Sequence, residues 1–134
     1  MPAQTLRVPW KMISTVDVRR AVVSELKRLE VDAIVVEEAE IVISELVSNA
    51  VRHARPLPDG TIRVSWTVRG GVVEVEVTDG GGPTTPRPAP RSVWADNGRG
   101  LRIVRSLAHE WGVLEDRAGC TVWVSLGGPS RRRG

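Results

Sequence analysis

Glu45, Asn49 and His53 stand four residues apart in the stretch ISELVSNAVRHA, which otherwise reads as an apolar helix. Four residues advance a helix by about 6 Å and rotate it by about 40° beyond a full turn, so the three side chains form one polar row with Arg52 beside it. The row adjoins an apolar stripe at Leu46 and Ala50. A solvated helix face is the plain alternative, and Asn49 weighs against it. Asn is a poor helix former, and beside a buried stripe an unpartnered amide costs about 1 to 3 kcal/mol. A carboxylate one turn from an amide suits magnesium chemistry. The amide oxygen of Asn49 can ligate Mg²⁺, which takes oxygen ligands and keeps waters, while Glu45 polarises a water or hydroxyl near the same ion. Zinc does not fit, because the helix has one His and not the pair at i and i+4 of a metalloprotease.

Two glycine segments supply what a nucleotide site would still need. In VTDGGGP, Asp79 ends a strand, where its carboxylate can accept from an exocyclic amine while Gly81 lets a planar ring approach the backbone. In DNGRGLRIV, Gly98 and Gly100 immediately precede a helix, whose free N–H groups and positive dipole end favour a phosphate. Taken singly, each segment is also an ordinary turn or helix-start signal. Neither matches the G-x-x-x-x-G-K-[ST] loop or the three-glycine dinucleotide pattern.

The elements that must position these residues follow from periodicity. TLRVPW is a short β-like stretch, and Val16, Val22, Val23, Leu26 and Leu29 then recur at helical spacing behind Ser14 or Thr15 as cap. Val31 and Asp32 break that helix. A second one resumes with Val35, Ala39, Val42, Ile43, Leu46 and Ala50 as its stripe and ends at RPLPDG. Ile62, Val64, Trp66 and Val68 alternate against polar neighbours, RGG turns the chain, and VVEVEVTD returns it as the second strand of a hairpin. The stretch GGGPTTPRPAPRSVWADNGRG has no periodicity, and loops of such length are usually functional. LRIVRSLAHE reads as a short helix, WGVLED and CTVWVSL as a closing hairpin around RAG, and residues 127–134 as a frayed basic tail. The order predicts an α+β fold, a two-layer sandwich with helices on one face of a mainly antiparallel sheet.

Composition narrows the function classes. The chain has 134 residues, the size of one domain. It carries neither an apolar run long enough to span a membrane nor the apolar core of a secretory signal, so a cytoplasmic protein is expected, with no membrane partner. Cys120 is the sole cysteine, which leaves no internal disulfide and no zinc-ligand spacing. Arg131, Arg132 and Arg133 account for the whole formal charge of +3. The remaining chain has no basic stripe interleaved with aromatics, so direct nucleic-acid binding is not expected. All five aromatics are Trp, at positions 10, 66, 94, 111 and 123, and most are expected in the core.

In order and spacing, SELVSNAVRHA, VTDGGGP, NGRGLRIV and GCTVWV resemble the asparagine, first glycine, second glycine and terminal threonine motifs of the GHKL ATPases. That superfamily includes gyrase, the catalytic domains of histidine kinases and the ninety-kilodalton chaperone. The compact size resembles its anti-sigma factor and serine-protein kinase branch, from bacterial partner-switching modules. The resemblance implies the Bergerat ATP-binding fold over residues 1–126, with ATP and Mg²⁺ as cofactors. It implies Asn49 as the Mg²⁺ ligand, Glu45 as general base, and Arg52 and His53 at the phosphates. Asp79 would bind the adenine amine, with Gly81 beneath the ring and Thr121 supporting the same edge through water. Gly98, Arg99, Gly100 and Leu101 would fold over the phosphates, and the lid would span about 82–97. The implied partners are a sigma factor or an anti-anti-sigma (STAS-type) protein, with a homodimer as the implied assembly. Three departures are visible. Pro83 stands where a second glycine is usual. Asp96 and Asn97 fill ground where kinase members carry an Arg. Prolines at 83, 86, 88 and 90 make the lid stiffer than a Gly/Ser segment. A serine/threonine kinase and a nucleotide-binding module without kinase activity are both consistent with this pattern.

Overall fold

The structure, a computed structural model, describes residues 3–82, 104 and 106–127. Its elements run β1 (Gln4–Pro9), α1 (Ser14–Arg28), α2 (Ala33–His53), β2 (Thr61–Arg69), β3 (Val72–Asp79), β4 (Glu110–Asp116) and β5 (Gly119–Leu126). The strands form one sheet in the order β1-β2-β3-β5-β4, antiparallel at every pairing. α1 packs against β1 and β2, α2 packs against β3 and β5, and the helices pack against each other. This is the α+β sandwich that the sequence predicts.

The core lies between the helices and the sheet. α1 buries Ser14, Val18, Val22 and Leu26, one residue per turn. α2 touches both the sheet and α1, and so buries a wider stripe that includes Val36, Ala39, Val42, Ile43, Leu46, Val47 and Ala50. Ile62, Val64 and Trp66 of β2, Val73, Val75 and Val77 of β3, and Val122, Val124 and Leu126 of β5 meet them from the sheet. Burial of a side chain of this class is worth about 1.5 to 3 kcal/mol, which is why the alternation in the sequence fixes the face each strand turns inward.

Several details depart from expectation. Neither Ser14 nor Thr15 caps α1; both lie inside it, and Ile13 holds the cap position without a side-chain hydrogen bond. The amides of Ser14, Thr15 and Val16 instead donate to the carbonyls of Lys11, Met12 and Ile13, each at 3.0 Å. A tight turn leading into the helix therefore satisfies donors that a cap would otherwise serve. α1 ends at Arg28, before Val31 and Asp32, where Glu30 takes φ +58° and the Val31 amide donates to the Leu26 carbonyl at 3.1 Å; Asp32 caps α2, its Oδ1 accepting from the Ile34 amide at 2.8 Å. Of the described tryptophans only Trp66 is buried; Trp10 is exposed, and Trp111 and Trp123 are half-buried. Trp123 lies over Gly112 on the sheet face away from the helices, where a Cβ at Gly112 would collide with the indole. Val104, Ser106 and Leu107 are helical, as expected, but Glu110 already belongs to β4. Gly127, expected in the tail, is buried.

Candidate functional site

α2 and β3 finish at the same end of the molecule, and the chain ties them together there. Beyond His53, Ala54 is extended, with φ −127° and ψ 171°, and Pro56 and Pro58 follow it. The Arg55 amide donates to the Gly81 carbonyl at 2.8 Å, and the Arg55 carbonyl accepts from the Gly80 amide at 2.6 Å. That approach requires glycine at position 80, because a Cβ there would collide with the Pro56 carbonyl oxygen. Gly81 adopts φ +95°, which side-chain-bearing residues rarely take, and its amide donates to Asp79 Oδ1 at 2.7 Å. The two segments singled out in the sequence, the last turns of α2 and Asp79-Gly80-Gly81, are therefore neighbours.

Asn49 is 2% exposed, and its amide nitrogen has no hydrogen-bond partner among the described residues. Burying an amide in this state is unfavourable by about 1 to 3 kcal/mol unless a ligand completes it. Rotation about the terminal bond exchanges the oxygen and nitrogen of the group, so either can meet that ligand. Glu45, one turn earlier, is half-buried, whereas Arg52 and His53 are exposed on the last turn. Among the described residues no three His, Cys, Asp or Glu side chains converge to hold a metal. Mg²⁺ fits the remaining donors, since it characteristically takes few protein ligands and completes its shell with water and phosphate oxygens.

Asp79 is 1% exposed. Burial pushes its carboxyl up to about 7, the Gly81 amide opposes that rise, and the negative charge of Glu115 adds to it. The Glu115 carboxyl is itself raised by burial. Strand register explains why these two carboxylates sense each other. Asp79 pairs with Cys120 across β3 and β5, and Cys120 pairs with Glu115 across β5 and β4. Directly paired residues share a sheet face, so Asp79, Cys120 and Glu115 form one row on the side that carries the helices.

The same register sets the face on which Thr121 lies. It pairs with Thr78 on the opposite face, and the two hydroxyls lie 2.8 Å apart. Thr121 thus lies on the sheet face away from Asp79. Cys120 occupies the place beside Asp79, and Glu115 the place beyond it. The alternation of Cys120, Val122, Val124 and Leu126 against Thr121, Trp123 and Ser125 carries this signal in the sequence. Gly98, Arg99, Gly100 and Leu101, and the expected lid beyond Gly82, lie outside the described residues. No helix among the described residues is long and apolar enough to cross a membrane.

A family model described as the histidine kinase-like ATPase domain matches residues 9–126. Among solved structures, the fold is similar to that of the RsbU and RsbW domains of Rv1364c from Mycobacterium tuberculosis, with a TM-score of 0.72 at 22% identity. That match covers 94% of this chain, which spans 32% of the length of the other. No curated protein matches.

Proposed function

The chain belongs to the histidine kinase-like ATPase domain family, and from that premise we propose that it binds Mg-ATP and acts as an anti-sigma-type regulator. In this reading it phosphorylates a serine or threonine of an anti-anti-sigma (STAS-type) partner. One observation carries the proposal: the paired hydrogen bonds of Arg55 with Gly80 and Gly81 bring the unsatisfied Asn49 amide and the buried Asp79 carboxyl to one end of the fold. The likeness of fold to a structure that includes an RsbW domain is in keeping with this branch.

The roles follow from the chemistry of each group. Asp79 accepts a hydrogen bond from the exocyclic amine of adenine, and Gly81 leaves room for the flat ring. Asn49 contributes its amide oxygen to Mg²⁺, and the exposed Arg52 and His53 pair with phosphate oxygens. The ion, when bound, neutralises charge on the phosphates. Glu45 orients the attacking hydroxyl and takes its proton on a carboxylate oxygen. Gly98, Arg99, Gly100 and Leu101 complete the phosphate cover. Asp96 and Asn97, standing where kinase relatives carry an Arg, favour a second reading in which nucleotide only sets the conformation that grips a sigma factor or its antagonist.

Titration calorimetry with Mg-ATP and Mg-ADP, followed through Trp94 fluorescence, tests the site. Transfer of labelled γ-phosphate to a STAS-type protein then separates the two readings. Saturable binding with transfer that disappears in Glu45→Gln supports the kinase. Binding without transfer supports the second reading, and no binding at millimolar nucleotide overturns both.

A further inference from the structure

The row of Asp79, Cys120 and Glu115 has an acid at each end. Adjacent strands are about 4.8 Å apart, so the two acidic positions are roughly 10 Å apart on one sheet face. Glu115 has no ion pair among the described residues. Its neighbour Asp116 is engaged differently, with Oδ1 accepting from the Ala118 amide at 2.8 Å and the Gly119 amide at 3.1 Å to close the hairpin. Glu115 is therefore a half-buried carboxylate turned to the same side as a deeply buried one, with no cation between them along the row.

We propose that Glu115 is a positioning residue for base recognition, acting through Asp79 so that capture of the nucleotide base releases a proton. The proposal rests on the assignment of Asp79 to the base amine made above. An amine N–H donates more strongly to an ionised carboxylate than to a neutral carboxyl, so the bound base favours the ionised form and a protonated Asp79 gives up its proton to solvent as that bond forms. The negative charge of Glu115 works against ionisation and holds the proton on Asp79 until the base arrives, in line with the raised carboxyl of Asp79. Other groups on the elements packed against Asp79 are Cys120 from β5, and Glu45, Arg52 and His53 from the last turns of α2, with Arg55 at its exit. Arg63 of β2 pairs with Thr78 and so belongs to the opposite sheet face.

The test is calorimetry of Mg-ATP binding in buffers of differing ionisation enthalpy across pH 5.5 to 8.5 (roughly the span over which such a carboxyl titrates). It is paired with carboxyl-carbon NMR titration of Asp79 in the free protein. In the wild type, binding should release a proton at the acid end of that range and none at the alkaline end, and affinity should fall as pH falls. In Glu115→Gln the midpoint of both profiles should drop by roughly half to one pH unit, as expected of two charges about 10 Å apart in a partly solvated site. A purely structural role would change affinity at every pH without moving the midpoint. An unmoved midpoint, or binding without proton release, overturns the proposal. Absence of any Mg-ATP binding instead overturns the functional reading beneath it. The NMR titration of Asp79 reads the pair without nucleotide and apart from the imidazole of His53, so the electrostatic part is decided in either case.

Discussion

Ser14 and Asn49 are both polar residues on helices that face the same core, at 1% and 2% exposure, and their fates differ. The Ser14 hydroxyl donates to the Pro9 carbonyl at 2.6 Å, which fastens the start of α1 to the end of β1. The Asn49 amide nitrogen, near the end of α2, finds no partner among the described residues. At Ser14 the fold satisfies the hydroxyl it buries. Around Asn49 and Asp79 it leaves one amide incomplete and holds one carboxylate where charge is disfavoured. Thr15 Oγ1 beside Ser14 and Trp66 Nε1 in the sheet also lack a partner among the described residues, so what sets the Asn49 region apart is the buried carboxyl of Asp79 at the same end of the fold.

Substitutions sharpen that contrast, and the largest effect is expected at Asn49. Asn49→Ala should lose Mg-ATP binding to beyond detection at millimolar nucleotide while leaving urea stability unchanged or slightly higher; normal binding by this variant would remove Asn49 from the site. The second effect concerns stability against pH. The Asp79 carboxyl sits near 7 in the folded protein against an ordinary value of 3.8, so the folded state holds the proton more tightly. The contribution of Asp79 to stability is therefore greatest below about pH 4 and is lost as pH rises through 7, by up to about 4 kcal/mol in total. Urea unfolding between pH 5 and 8 should show that decline, and Asp79→Asn should flatten it while abolishing nucleotide binding. An equally steep decline in the variant would mean that another group is responsible. Third, Ser14→Ala should lower stability by about 1 kcal/mol without affecting nucleotide affinity. Affinity that fell together with stability would erase the distinction between the regions. The smallest effect is expected at the exposed pair of Arg28 and Glu25, where Arg28→Ala should leave the melting midpoint indistinguishable from wild type.

The fold was legible where burial imposes a period. Ile62, Val64 and Trp66 alternate because one face of β2 is covered, and the stripe through Val42, Leu46 and Ala50 recurs because one side of α2 is covered. Asn49 and Asp79 stood out because polar residues in such settings demand a partner. The parts that misled depend on neighbours distant in sequence. The α1 cap was replaced by backbone bonds from Lys11, Met12 and Ile13, whose turn conformation no side chain announces. Trp111 packs against the core from an edge strand and is only half-buried, whereas Trp123 reads as core but lies on the uncovered sheet face. Motif order sets Thr121 near Asp79, and register decides which sheet face it occupies. The alternation within β5 carries that information, and it puts Cys120 opposite Asp79.

The junction of Arg55 with Gly80 and Gly81 also bears on how chains of this kind vary in length. Two carbonyls and two amides meet there with no slack, and a one-residue insertion on either side would present the wrong peptide group to its partner. The turns at Asp59-Gly60 and Gly70-Gly71 are exposed and are held by single contacts in place of a paired crossing: the Gly60 carbonyl accepts from the Trp10 amide at 3.3 Å, Asp59 pairs with Arg7, and the Gly71 carbonyl lies close to Gly127. Insertions and deletions should accumulate at those turns and be excluded between Ala54 and Pro56 and between Asp79 and Gly81. Spacing at that crossing is then inherited as strictly as residue identity.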